Sequence, residues 1–222
     1  MSDKFVEPPH YDPPMDPYLE VLYVDEDILV LNKPSGLLSV EGRPEHHKDC
    51  LIRRAREQYP SATVVHRLDR DTSGVIVMAL NMESHRHISK QFEKRETSKT
   101  YIARLSGLIS GDKGTVNLPL KIDWPNRPRQ KVDFELGREA ITHWEVAERE
   151  ESANATRVVF YPITGRSHQL RVHALELGHP IMGDSIYGDE KAADRLHLHA
   201  AELSLFHPVS GERLTFKAPA PF

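Results

Sequence analysis

The sequence predicts an α+β fold: a single domain with a large mixed, mainly antiparallel β-sheet flanked by helices and loops. Three observations lead there. Runs rich in β-branched and aromatic residues recur along most of the chain. Helical periodicity is confined to a few irregularly placed stretches. Neither a repeat of about 20 to 50 residues nor a strict strand-helix alternation is present. Residues 1–17, with Pro8, Pro9, Pro13 and Pro14 among acidic side chains, suit an extended arm in front of a domain spanning 18–222.

Leu19 to Asn32 reads as two strands, VLYV and ILVLN, with Asp25, Glu26 and Asp27 forming the hairpin turn. Lys33, Pro34, Ser35 and Gly36 follow as a tight turn, Pro34 presetting its angle and Gly36 free to take positive φ. Asp49 is placed to cap a short helix whose Leu51, Ile52 and Ala55 face inward while Arg53, Arg54 and Arg56 face water. Thr63 to Val65 and Val75 to Leu80 read as buried strands around a charged loop that holds Arg67, Asp69 and Arg70. Asn81 caps the next helix, to about Arg95, with Ile88 and Phe92 one turn apart. Lys99 to Leu108 then alternates as a strand does, with Tyr101, Ala103 and Leu105 on one side.

Thr115 to Ala147 holds strands around a proline-rich excursion, DWPNRPRQ at 123–130, where Trp124 either packs down or joins two arginines in stacking on a nucleic acid. Val158 to Ile163 is a further strand. Thr164 is placed to cap a helix through Leu177, ended by Gly178 with Pro180 beyond. On that helix His168 and Arg171 share a face, and Leu170, Ala174 and Leu177 form the core side. Leu196 to Phe206 and Leu214 to Lys217 complete the sheet. His197 and His199 stand two apart on a strand, and with no third ligand or orienting carboxylate evident nearby no metal is expected.

Composition narrows the function classes. With 39% hydrophobic and 28% charged residues, no apolar run long enough to cross a bilayer and no signal segment at the N-terminus, the chain reads as cytoplasmic. Its single cysteine, Cys50, leaves no internal disulfide and no thiolate metal cluster. The net charge of -4 resides in the first 20 residues, where five acidic groups face Lys4, so the body is neutral overall. It is locally basic. Arg86 to Arg104 carries six cations against Glu93 and Glu96, and Lys121 to Lys131 carries four against Asp123, stripes that suit a phosphate backbone as well as a solvated face.

No glycine-rich phosphate loop precedes a helix and no serine sits in a nucleophile elbow, so no cofactor is expected. A carboxylate among arginines remains, Asp69 with Arg67 and Arg70. Taken alone it fits a surface turn as well as a nucleophile or base. A glycoside hydrolase using Asp69 and Asp71 is disfavoured, because neighbours in a strand-like loop point apart.

HRLDRDTSG at 66–74, preceded by NKPSGLLSV at 32–40 and followed by KTYIARLSG at 99–107, ITGRSHQLRVH at 163–173 and HLHAAELSLFHP from 197, resembles the ordered motifs of the RluA family of RNA pseudouridine synthases. The resemblance runs from about residue 18 to the end, and the arm before it is too short for an S4-type RNA-binding domain. It implies a pseudouridine-synthase catalytic domain that isomerises uridine to pseudouridine without a cofactor, acting on structured RNA: 23S ribosomal RNA and the tRNA anticodon stem-loop. A monomer with no obligatory protein partner is expected. Asp69 matches the catalytic aspartate, Tyr101 the tyrosine that packs on the target base, and Arg67 the arginine that enters the space an extruded uridine leaves. Arg171 matches a substrate-pocket arginine expected to pair with Asp69. A noncatalytic RNA-binding module on the same scaffold is the alternative, and it would have no need of Asp69, Tyr101 and Arg171 together.

Overall fold

The computed structural model describes residues 11–222, so the first ten residues of the predicted arm lie outside it. Among the described residues ten strands form one sheet, and its frame is set by two strands buried on both faces. These are β2 (Ile28–Lys33) and β4 (Ser73–Ala79), which pair antiparallel from Ile28↔Ala79 to Lys33↔Gly74. Their alternation divides the core: Leu29, Leu31, Ile76 and Met78 enter one cluster, and Ile28, Val30, Val75 and Val77 the other. All seven residues of β4 are buried. Truncating Ile76 or Met78 to alanine would cost about 2–5 kcal/mol.

The other strands are β1 (Val21–Val24), β3 (Thr63–Val64), β5 (Ser98–Ser106), β6 (Lys113–Asn117), β9 (Ile141–Glu150), β10 (Ala155–Pro162), β11 (Leu198–Phe206) and β12 (Arg213–Lys217). The main path runs β1-β2-β4-β11-β5-β10-β9-β6, with β12 beside β11 and β3 beside β4; a separate ribbon pairs β7 (Leu120–Ile122) with β8 (Gln130–Val132). Every strand pairing described is antiparallel except the short contact of β4 with β11, His199↔Ser73 and Ala200↔Gly74. The mixed, mainly antiparallel α+β domain expected from the sequence is the one observed.

Among the described residues three α-helices flank the sheet: α1 (Leu51–Gln58), α2 (Met82–Lys94) and α3 (Gln169–Glu176). Asn81 caps α2 as expected, its side chain accepting from the Ser84 N–H at 2.9 Å. Three expectations need correction. Asp49 does not cap α1; Cys50 holds that position, and the Asp49 carboxylate takes both Arg54 Nε (2.8 Å) and Nη2 (2.6 Å). Arg54, expected in water, is fully buried, because its guanidinium also donates to the carbonyls of Pro14 and Tyr18 and so ties residues 11–18 down onto α1. Thr164 likewise does not begin α3. Its hydroxyl accepts from Ile141 N and donates to the Gln169 side chain, and the helix starts only after His168, which turns the chain at φ +54°.

Candidate active site

The loop carrying Asp69 leaves β3 and re-enters the sheet at β4, and the NKPSGLLSV segment cradles it. Lys33 is wholly buried, and its Nζ spends all three donors on carbonyls: Pro34 (2.9 Å), Leu37 (2.6 Å) and Arg70 (2.8 Å). Burial draws its pKa down to about 7 against the pull of Asp71 and Asp69. Gly36 N also donates to Arg70 O, Ser35 Oγ to Asp71 O (2.7 Å), and Ser39 Oγ to Leu68 O (2.7 Å). Leu68 is buried beneath, and Arg70 and Asp71 satisfy each other in a two-pronged pair of 2.8 and 3.0 Å. Asp69 is therefore held by its neighbours' backbone. Among the described residues its carboxylate accepts no hydrogen bond and forms no ion pair.

Asp69 lines a cleft of about 590 Å³ together with Arg67, Tyr101 and Arg171. The four site residues expected from the sequence thus come together. Tyr101 projects from β5; burial, then the charge of Asp69, pushes its phenol well above the ordinary tyrosine pKa. Beside it His66 stacks on Phe92 (centroids 4.5 Å apart) and accepts from Val77 N at 3.0 Å; burial and then Lys99 push its pKa down to about 3, so the ring is neutral. Arg67 stands exposed at the mouth, its guanidinium unpaired among the described residues.

Arg171 departs from expectation in its partner. Its Nε and Nη2 grip Asp184 at 2.8 and 2.6 Å rather than Asp69, and Asp184 also accepts from the N–H groups of Ile186 and Tyr187. The reason is geometric: a guanidinium buried to this degree needs a carboxylate that fits its fork, and the turn after Gly183 supplies one. Burial opposes the charge on Arg171, but the Asp184 bonds win and its pKa is raised, with Asp69 adding to the effect across the cleft. His168, whose Nδ1 meets the Tyr187 hydroxyl at 2.8 Å, is lowered by burial while Asp69 pulls the other way. Sequence reasoning missed Asp184, Tyr187 and the role of Lys33. The one available signal was a Gly-Asp turn downstream of an arginine destined for the core.

Among the described residues, the cleft lining brings no three metal-ligating side chains together. His197 stacks on Phe222 and, contrary to expectation, has a carboxylate beside it, its Nε2 meeting Asp194 Oδ1 at 3.0 Å, while His199 accepts from Ser73 and donates to Ala218 O. Asp25, Asp27 and His207 lie close enough for a cation, but His207 Nδ1 accepts from Ser210 N, which leaves the proton on Nε2 facing Asp25 at 3.0 Å. That cluster is a clamp between two hairpin turns.

The arrangement is a lone carboxylate on a rigid loop, faced by an aromatic ring and a buried guanidinium, at the end of a mixed sheet. A family model described as RNA pseudouridylate synthase matches residues 27–176, which include the whole Asp69 cradle, Tyr101 and Arg171. The chain belongs to the RNA pseudouridylate synthase family. Among relatives of this family, the dual-specificity RNA pseudouridine synthase RluA of Escherichia coli O6:H1 is 55% identical over 216 residues, covering 96% of this chain and 98% of that protein. The protein of the same name from Vibrio cholerae is 51% identical, covering 96% and 87%. The fold agrees with a solved structure of human RNA pseudouridylate synthase domain containing 1, at a TM-score of 0.76 and 29% identity over 98% of this chain and 87% of that one. As an RNA pseudouridine synthase the protein is an isomerase, a reaction in which no atoms are gained or lost.

Proposed function

We propose that the protein isomerises uridines in structured RNA, in the large-subunit ribosomal RNA and in the tRNA anticodon stem-loop, with Asp69 as the catalytic group. The dual-specificity name of its close relatives supports two RNA classes. The observation that carries the reading is Asp69 itself, whose carboxylate has no partner among the described residues inside a cleft, while the backbone on either side of it is held by Lys33, Ser35 and Ser39 and its neighbours Arg70 and Asp71 pair with each other. The target uridine leaves its stack at a cost of about a few kcal/mol, and Arg67, free at the mouth, fills the vacated space. Tyr101 packs on the uracil. Asp69 acts on the ribose, attacking C1′ or removing the C2′ proton; the C1′–N1 bond breaks, the uracil turns, and C5 bonds to C1′ as its proton passes to N1. Arg171, locked by Asp184, keeps a fixed positive charge behind the carboxylate. The protein works as a monomer in the cytoplasm.

The test is to incubate the protein with transcripts of both RNA classes and no added cofactor, and to measure pseudouridine. Wild type yields product. Asp69→Asn keeps fold and RNA binding and yields none. RNA binding by the wild type without product would make the protein a noncatalytic RNA-binding module, and full activity of Asp69→Asn would remove Asp69 from the chemistry.

A further inference from the structure

One lip of the cleft gathers four cations from four different elements. Arg95 follows the last turn of α2 in the left-handed conformation. Lys99 lies at the start of β5, with Nζ 3.5 Å from Thr164 O. Arg138 precedes β9 and is bridged through its backbone to Leu120 at 2.8 and 2.9 Å. Arg166 stands in the loop before α3, its Nε given to Glu139 O at 2.9 Å. Two carboxylates are near. Glu139 is half exposed and already bonded to Arg95 at 2.6 Å; Glu93, also on the cleft wall, points from an exposed position. Lys99, Arg138 and Arg166 form no ion pair among the described residues.

The cations feel one another. Arg166 is held below the ordinary arginine pKa by burial and then by Arg138 and Arg95, and Lys99 is brought down to about 8 by burial and Arg95. Cations that repel one another on a concave surface build a potential that concentrates an anion. The substrate carries that anion in a fixed place. When a nucleotide is extruded into the cleft, its base and ribose go to the floor, at Tyr101 and Asp69, and its flanking phosphodiesters are drawn to the lip. Guanidiniums match phosphate oxygens in a two-pronged fit.

We infer that Lys99, Arg138 and Arg166 form a clamp for a phosphodiester flanking the target uridine, holding the extruded nucleotide by its backbone irrespective of base sequence; this rests on the reading of the protein as an RNA-modifying isomerase. Arg95, already engaged by Glu139, sets the field of the clamp and is not its main contact.

The test couples protein charge to one RNA phosphate. Synthetic stem-loops carry a neutral methylphosphonate at one phosphodiester at a time around the target, and each is bound to wild type and to the Arg138→Gln, Arg166→Gln double variant. The double variant should bind the unmodified RNA about tenfold or more weakly, with a log–log salt slope shallower by about one to two. Its single-turnover rate at saturating RNA should stay within about threefold of wild type. One methylphosphonate beside the target should weaken wild type about tenfold and leave the double variant unchanged. Losses that simply add at every phosphate would overturn the clamp. So would competition by inorganic phosphate beyond that of chloride at equal ionic strength, which would make this a free-phosphate site. If the double variant does not fold, Arg138→Gln alone, at an exposed position, carries the same comparison. Pseudouridine formation is scored separately, so a wild type that shows the coupling but makes no product would sink the enzymatic reading and leave the clamp standing.

Discussion

Arg171 and Asp184 form a two-pronged ion pair, at 2.8 and 2.6 Å, with both side chains buried and Arg171 in the wall of the cleft that contains Asp69. The arrangement supplies a positive charge that cannot swing forward to neutralise Asp69. Asp184→Asn removes that restraint and leaves a buried guanidinium short of a counter-charge. It should lower stability by about 3 kcal/mol, read from urea unfolding. At saturating RNA the turnover should fall by an order of magnitude or more while RNA affinity stays within about threefold. A variant as active as wild type would mean that the pair serves the fold alone.

Tyr101 separates ring from hydroxyl. Among the described residues its hydroxyl has no hydrogen-bond partner, and burial with Asp69 nearby keeps it protonated. Tyr101→Phe should therefore preserve RNA binding within about twofold. Tyr101→Ala should weaken it by about 1–3 kcal/mol, the worth of one stacked base. Binding curves for both variants on the same stem-loop decide the matter; equal losses would assign the contact to the hydroxyl.

The frame of this fold was legible because its signals are local. The continuous apolar runs of β2 and β4, the Asn81 cap and the Gly178 stop each need only a few consecutive residues. The site was legible in its residues but not in its pairings. Arg54 and Arg171 were both placed by helical periodicity, which takes a charged residue on a helix to face water or a cleft. Both are buried, because each meets a carboxylate brought from elsewhere in the chain, and Arg54 two backbone carbonyls as well. Such partners are 5 and 13 residues away for the carboxylates and 40 for the Pro14 carbonyl. No local pattern announces them. The start of α3 failed for a similar reason: the Thr164 hydroxyl that would have capped it is engaged by Ile141 of a neighbouring strand.

Gly74 marks where the active-site loop enters the sheet, at φ +113°. A Cβ there would lie 2.3 Å from Ala200 O and 2.6 Å from Ala200 N, inside the short parallel contact of β4 with β11. Gly74→Ala should cost at least about 3 kcal/mol, combining strained backbone with a forced separation of two central strands. Because the clash is with backbone, adding Ala200→Gly should give no relief. Recovery of the urea midpoint in that double variant would show that side-chain crowding was the cause.

Acid should unfold the protein through its neutral buried histidines. The His199 ring accepts from Ser73 Oγ and donates to Ala218 O; burial pushes its pKa down to about 4, with Arg195 reinforcing the shift. His66 is pushed to about 3. In the unfolded chain both titrate near 6.5. Between pH 6.5 and 4 the unfolded state thus binds more protons than the folded one, so stability falls as pH falls, by about 1.4 kcal/mol per pH unit for each histidine. Lys33 and Lys99, drawn down to about 7 and about 8, are largely protonated in both states over most of that window, so they add little to the slope. His199→Gln keeps an acceptor for Ser73 and a donor for Ala218 but cannot titrate. Its urea-derived stability, measured at half-unit steps from pH 7 to 4, should fall less steeply than that of wild type by about that one-proton slope; an unchanged acid limb would mean that His199 is already charged in the folded protein.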